Sequence, residues 1–128
     1  MNYIAVQGCE LEFVNPAHSG DITITTAPSQ KTLADGKGVY HGTIQITIAN
    51  FTGGDITVSK SGATVTPGTL NGGSTTTKAE GEPVVLQDNV SEDITVVGLK
   101  PQGNTTVTAT ATTKVKIKKA GQTKAKAE

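Results

Sequence analysis

The chain has no arginine and no tryptophan, one cysteine, two histidines and only 3% aromatic residues among its 128. Each shortage excludes something. Bidentate recognition of phosphate or guanine favours arginine, so its absence argues against sequence-specific nucleic-acid binding. A lone Cys9 forms no internal disulfide, which excludes a secreted domain stapled by bridges. With 34% apolar residues, the core must be thin and built from Val, Ile, Leu and Ala. Sugar-binding platforms usually need exposed Trp or Tyr, and only Tyr3 and Tyr40 are available. No apolar run approaches the ~20 residues that span a bilayer. Residues 1–8 carry neither the basic nor the apolar region of a secretory signal. The expectation is a protein made in the cytoplasm that, if it acts outside, leaves by another route. No eleven-residue window shows helical apolar spacing with start and stop signals.

What is present is a strand composition. Threonine is the commonest residue, at 22. Branching at Cβ suits Thr, Val and Ile to a pleated surface. Fifteen glycines and five prolines supply turns. Residues 43–49 alternate most cleanly, with Ile44, Ile46 and Ile48 opposite Thr43, Gln45 and Thr47. Residues 10–14 set Leu11 and Phe13 opposite Glu10 and Glu12, and residues 105–113 set Val107, Ala109 and Ala111 opposite four threonines. Lys114, Lys116 and Lys118 then share a face opposite Val115 and Ile117. Residues 15–20, 50–54 and 98–104 read as turns or loops. Residues 59–76 read as the main loop region, with a short strand at 63–66. The expectation is one β domain over 1–119 and a short lysine-rich tail at 120–128 that frays. Turn signals at intervals of roughly ten residues fit an all-β sandwich, barrel or compact β-prism. Charge is split: residues 1–99 hold four lysines and ten carboxylates, residues 100–128 seven lysines and one glutamate.

Two internal repeats stand out. Asp-Ile-Thr recurs at Asp21, Asp55 and Asp93, each copy followed by Ile or Val, and predicts a strand module used three times. Residues 34–40, Ala-Asp-Gly-Lys-Gly-Val-Tyr, align without gaps on residues 79–85, Ala-Glu-Gly-Glu-Pro-Val-Val. Asp35-Gly36 is a strong hairpin signal, because type I′ turns need positive φ. The two offsets differ, so the chain is no simple tandem array.

Candidate chemistry is sparse. His18 and His41 sit in no catalytic arrangement and there is no Gly-x-Ser-x-Gly, so no enzyme is expected. Cys9, His18 and His41 could give three ligands to a zinc site that needs four, the last from an Asp or a partner. Their spacing matches no zinc module. Cys9 reads as a small buried thiol, His18 as a turn residue and His41 as a strand-end residue. Asp35, Glu80, Asp88 and Asp93 lie in or beside turns, where short acids usually cap their own backbone. The pairs Gly53-Gly54 and Gly72-Gly73 lack the Lys-Thr and helix of a phosphate loop. The lysine face at 114–118 reads either as an edge strand guarded against aggregation or as a docking surface for an acidic partner. No catalytic, cofactor or metal residue is assigned.

Gly36-Lys37-Gly38-Val39 and Gly81-Glu82-Pro83-Val84 are turns feeding strands, and Val6-Gln7-Gly8-Cys9-Glu10-Leu11 sets a first strand against a small loop. In a Thr/Gly-rich all-β chain these features resemble the PAAR and PAAR-like proteins. Those proteins cap the spikes of type VI secretion systems, contractile phage tails and related injection machines. The Pro-Ala-Ala-Arg motif is absent, and so is the family's set of three His and one Cys, so no ligand residue carries over. The resemblance implies a cone or β-prism with approximate three-fold symmetry. It implies a non-enzymatic protein seated, one copy per trimer, on a trimeric β-helical spike and delivered outside with the machine. The alternative expectation is an immunoglobulin-like β-sandwich, a binding module of an adhesin or phage structural protein.

Overall fold

The computed structural model describes residues 1–58 and 66–128, and among them are thirteen strands and no helix. In chain order these are β1 (Asn2–Tyr3), β2 (Glu10–Phe13), β3 (Ser19–Ile24), β4 (Leu33–Ala34), β5 (Lys37–Gly38), β6 (Thr43–Thr52) and β7 (Thr66–Asn71). There follow β8 (Lys78–Ala79), β9 (Glu82–Pro83), β10 (Ile94–Gln102), β11 (Thr105–Thr113), β12 (Val115–Lys119) and β13 (Lys126–Ala127). The protein is all-β, as its composition implies. Its strands fall into six small sheets among the described residues, which is not the pair of facing sheets of the sandwich alternative.

Period-two patterning places the core. On β6, Ile44, Ile46 and Ile48 are fully buried while Thr43 and Gln45 face solvent. On β11 the even-numbered threonines are exposed and Ala109 is buried. Ile46, Ile48, Phe51, Ile56, Ile94, Val96, Ala109 and Val115 form one apolar cluster.

Six expectations are corrected. Residues 98–104, read as a loop, are strand as far as Gln102, paired with β11 from Gly98↔Ala109 to Gln102↔Thr105. Residues 66–71, read as loop, form β7, paired with β6 from Thr43↔Asn71 to Ile48↔Thr66; residues 63–65 of the expected short strand lie outside the described residues. Residues 50–54 do not turn at once, because β6 continues to Thr52 through a register shift opposite β3, and Asn50 takes φ 55°. The second Asp-Ile-Thr is no regular strand: Ile56 bridges back to Gly53, and Val58 bridges to Leu99. Residues 120–128 do not fray, since β13 pairs with β1 and Ala120, Gln122 and Ala127 are buried. β12 is no edge strand: it pairs with β2 on one side, while residues 88–91 bond to it on the other.

The turns explain the shortest strands. Asp35 and Gly36 have φ of 53° and 75°, and Glu80 and Gly81 have 50° and 84°. Both positive angles match the type I′ turn, whose twist suits a two-residue hairpin. The β4–β5 and β8–β9 pairs are those hairpins.

Candidate functional site

The residues after these two hairpins close a ring. Tyr40 N–H donates to Ala5 O (3.1 Å), Val85 N–H to Tyr40 O (2.9 Å) and Ala5 N–H to Val85 O (2.8 Å). The flanking residues repeat the cycle. Val6 bridges to Val39, His41 to Val84, and Leu86 to Ile4. Gln7 N–H donates to Gly38 O, Gly42 N–H to Pro83 O, and Gln87 N–H to Tyr3 O. Ala5, Tyr40 and Val85 therefore hold equivalent places around a three-fold axis.

The equivalence extends outward. β4–β5 and β8–β9 correspond to the pair β13–β1, in which Ala127↔Asn2 matches Ala34↔Lys37 and Ala79↔Glu82. The turn residues Asp35-Gly36 and Glu80-Gly81 correspond to Glu128 and Met1. Ala34, Ala79 and Ala127 are all buried, as are Val39, Val84 and Ile4. These residues make one apolar cluster with Val6 and Leu86, whose third counterpart is His41. Ala5, Tyr40 and Val85 point the other way, into a second cluster with Ile44, Leu70 and Ile117.

Each hairpin is preceded by a cap loop. Ser29 Oγ accepts from Lys31 N–H and Thr32 N–H, and Ser74 Oγ from Thr76 N–H and Thr77 N–H. Gln122 Oε1 does the same for Lys124 N–H and Ala125 N–H. The residue at each turn then reaches the cap loop of the preceding repeat. Ser29 Oγ donates to Glu80 Oε2 at 2.7 Å, Ser74 Oγ to Glu128 O at 2.7 Å, and Lys124 Nζ lies 3.3 Å from Asp35 Oδ1. The Ser29 hydroxyl, with help from His41, holds the Glu80 carboxyl below its ordinary range.

The candidate zinc residues have separate surroundings. His18 Nδ1 lies 2.8 Å from Thr113 Oγ1, and its ring meets Phe13 and Phe51 edge-on. His41 sits between Glu82 Oε1 (3.0 Å) and Glu80 Oε2 (3.1 Å). Cys9 is half-buried near Tyr40, and loss of water pushes its thiol up to about 11. The same desolvation, then the nearby Cys9, raises Tyr40. No group of three or more metal-ligating side chains forms among the described residues.

Two of the three lysines on that face pair within the chain. Lys116 Nζ lies 3.3 Å from Glu12 Oε1, and Lys114 Nζ 3.7 Å from Asp93 Oδ1. No helix among the described residues is long and apolar enough to cross a membrane.

No family model, curated protein or solved structure matches the chain.

Sequence reasoning found residues 34–40 and 79–85 but not the cap loops. The same offset of 45 carries Ser29 onto Ser74, so that pair was legible. The third members were not, because Gln122 replaces serine and the third hairpin joins opposite ends of the sequence. The Asp-Ile-Thr copies are not the structural repeat. Asp21 lies in β3, Asp55 in a turn, and Asp93 just before β10.

Proposed function

We propose that the chain is a non-enzymatic structural protein that caps or decorates the trimeric β-helical spike of a contractile injection system, of the type VI secretion or phage-tail kind. The observation that carries this reading is the cyclic backbone register around Ala5, Tyr40 and Val85. One chain that repeats its own hydrogen bonding three times offers three near-equivalent faces, and a three-fold partner can meet all of them at once. Main-chain pairing at strand ends supplies adhesion without special side chains. The two stretches that resemble the PAAR-like pattern, at 36–39 and 81–84, occupy equivalent places, each leading from a hairpin turn into the ring. On this reading the protein is made in the cytoplasm and leaves with the machine.

The test is co-expression with a trimeric spike protein encoded beside it, followed by size exclusion and mass measurement. One copy per spike trimer is expected. Three copies per trimer, or no complex with any such spike, overturns the proposal.

A further inference from the structure

The first of the three repeats departs from its counterparts. In the second, outgoing β6 pairs with returning β7, and in the third β10 pairs with β11. In the first, β2 and β3 do not pair: the partner of β2 is β12, and that of β3 is β6. Antiparallel register fixes where their free main-chain groups point, because alternate residues face alternate neighbours. Val14 N–H donates to Lys114 O at 2.9 Å, so Glu12 also faces β12 while Leu11 and Phe13 face away. Thr25 N–H donates to Gln45 O at 2.9 Å, so Thr23 faces β6 while Ile22 and Ile24 face away. Two rows of main-chain groups border the same seam, and among the described residues no strand covers either row. The side chains of these four residues pack against the core but are only half-buried, unlike the isoleucines of β6. Clefts of ≈ 500 and ≈ 380 Å³ run along the seam and share Leu11 and Ile22.

We infer that this seam receives an extended strand of a partner polypeptide in which basic and β-branched apolar residues alternate, paired to both edges. Open strand edges are templates for such addition. Inward residues of the added strand rest among Leu11, Phe13, Ile22 and Ile24. Outward residues lie between Glu12 on one side and Asp21 and Thr23 on the other, with Glu10 and Lys118 at one end. Lysine complements Glu10 and Asp21 on that rim, Glu12 being shared with Lys116. The chain uses the same chemistry on the other edge of β2, where Lys116 meets Glu12 at 3.3 Å while Val115 and Ile117 are buried. The inference stands apart from the spike reading, since it concerns a lateral seam and not the three-fold ring.

The experiment titrates the full chain with a labelled peptide of sequence Lys-Val-Lys-Ile-Lys-Val-Lys and follows amide exchange by NMR. The amides of Leu11, Phe13, Ile22 and Ile24 should exchange quickly in the free protein and slow by at least about tenfold with peptide, as added strand pairing requires. A version N-methylated throughout, and one with glutamate for lysine, should each bind at least about tenfold more weakly. Equal binding by either control, protection at other amides, slow exchange of those four before peptide is added, or no binding overturns the inference. Spike complex formation is read separately, so failure of one proposal leaves the other standing.

Discussion

Glu80 shows how much one residue can be asked to do. It sits at φ 50°, a region that favours glycine or asparagine, and its side chain still spans to Ser29 and His41. Asp35 holds the equivalent angle and was legible from its Asp-Gly pair. The reach of Glu80 was not, because Ser29 lies 51 positions away and only the fold brings it near. The Ser29 hydrogen bond outweighs desolvation and lowers the carboxyl from its ordinary value of 4.5, with His41 adding to the effect. A lowered folded value gives stability that is present above the ordinary value and lost as pH falls through the lowered one. The urea midpoint should therefore drop as pH is taken below about 4.5, and Glu80→Gln should make that drop shallower. Equal drops in the two proteins would show that the contact contributes nothing. Cys9 reads in the sequence as a small buried thiol; it is half-buried, and loss of water there raises it.

At the scale of elements, alternation was readable wherever one face is buried and the other wet. β6, β11 and β12 follow their patterns because each residue's exposure is set by the side it occupies. β7 was missed because Thr66-Pro67-Gly68 has loop composition. Gly68 answers to packing instead: a Cβ there would come 2.5 Å from Ile94 Cδ1, so the Ile94 side chain would have to shift for β10 to pack on β7. The second Asp-Ile-Thr was misread for the opposite reason. Its residues suit a strand, but Gly53 and Gly54, at φ 153° and 57°, start a tight reversal that leaves only single bridges. The cap loops give the sharpest prediction at this scale. Ser29 and Ser74 are buried, and each hydroxyl serves two main-chain N–H groups. Ser29→Ala and Ser74→Ala should each cost about 1–3 kcal/mol in urea unfolding, as removal of the acceptor leaves both donors without it. A loss at one site and none at the other would break their equivalence.

The whole molecule is organised by the ring, and the ring makes a prediction about connectivity. Glu128 and Met1 occupy the places that Asp35-Gly36 and Glu80-Gly81 fill in the covalent hairpins. A permutant with Met1→Gly, Glu128 bonded directly to residue 1, and the chain opened between Asp35 and Gly36 should fold to the same spectra. Its urea midpoint should stay close to that of the parent, since exposed hairpin tips tolerate such exchange. An unfolded permutant would mean that the three turns are not interchangeable.

The class of structure follows from the residues alone. Threonine-rich alternation without helical spacing commits the chain to strands, and the Asp35-Gly36 pair commits one turn to type I′ geometry, because these are local consequences of side-chain branching and φ. The rest depends on contacts between distant parts of the chain. The three-fold ring is made of main-chain hydrogen bonds among residues 5, 40 and 85, and backbone amides carry no residue-type signature. The open seam between β2 and β3 was equally unreadable, since their partners, β12 and β6, lie far along the chain and only the whole fold brings them alongside.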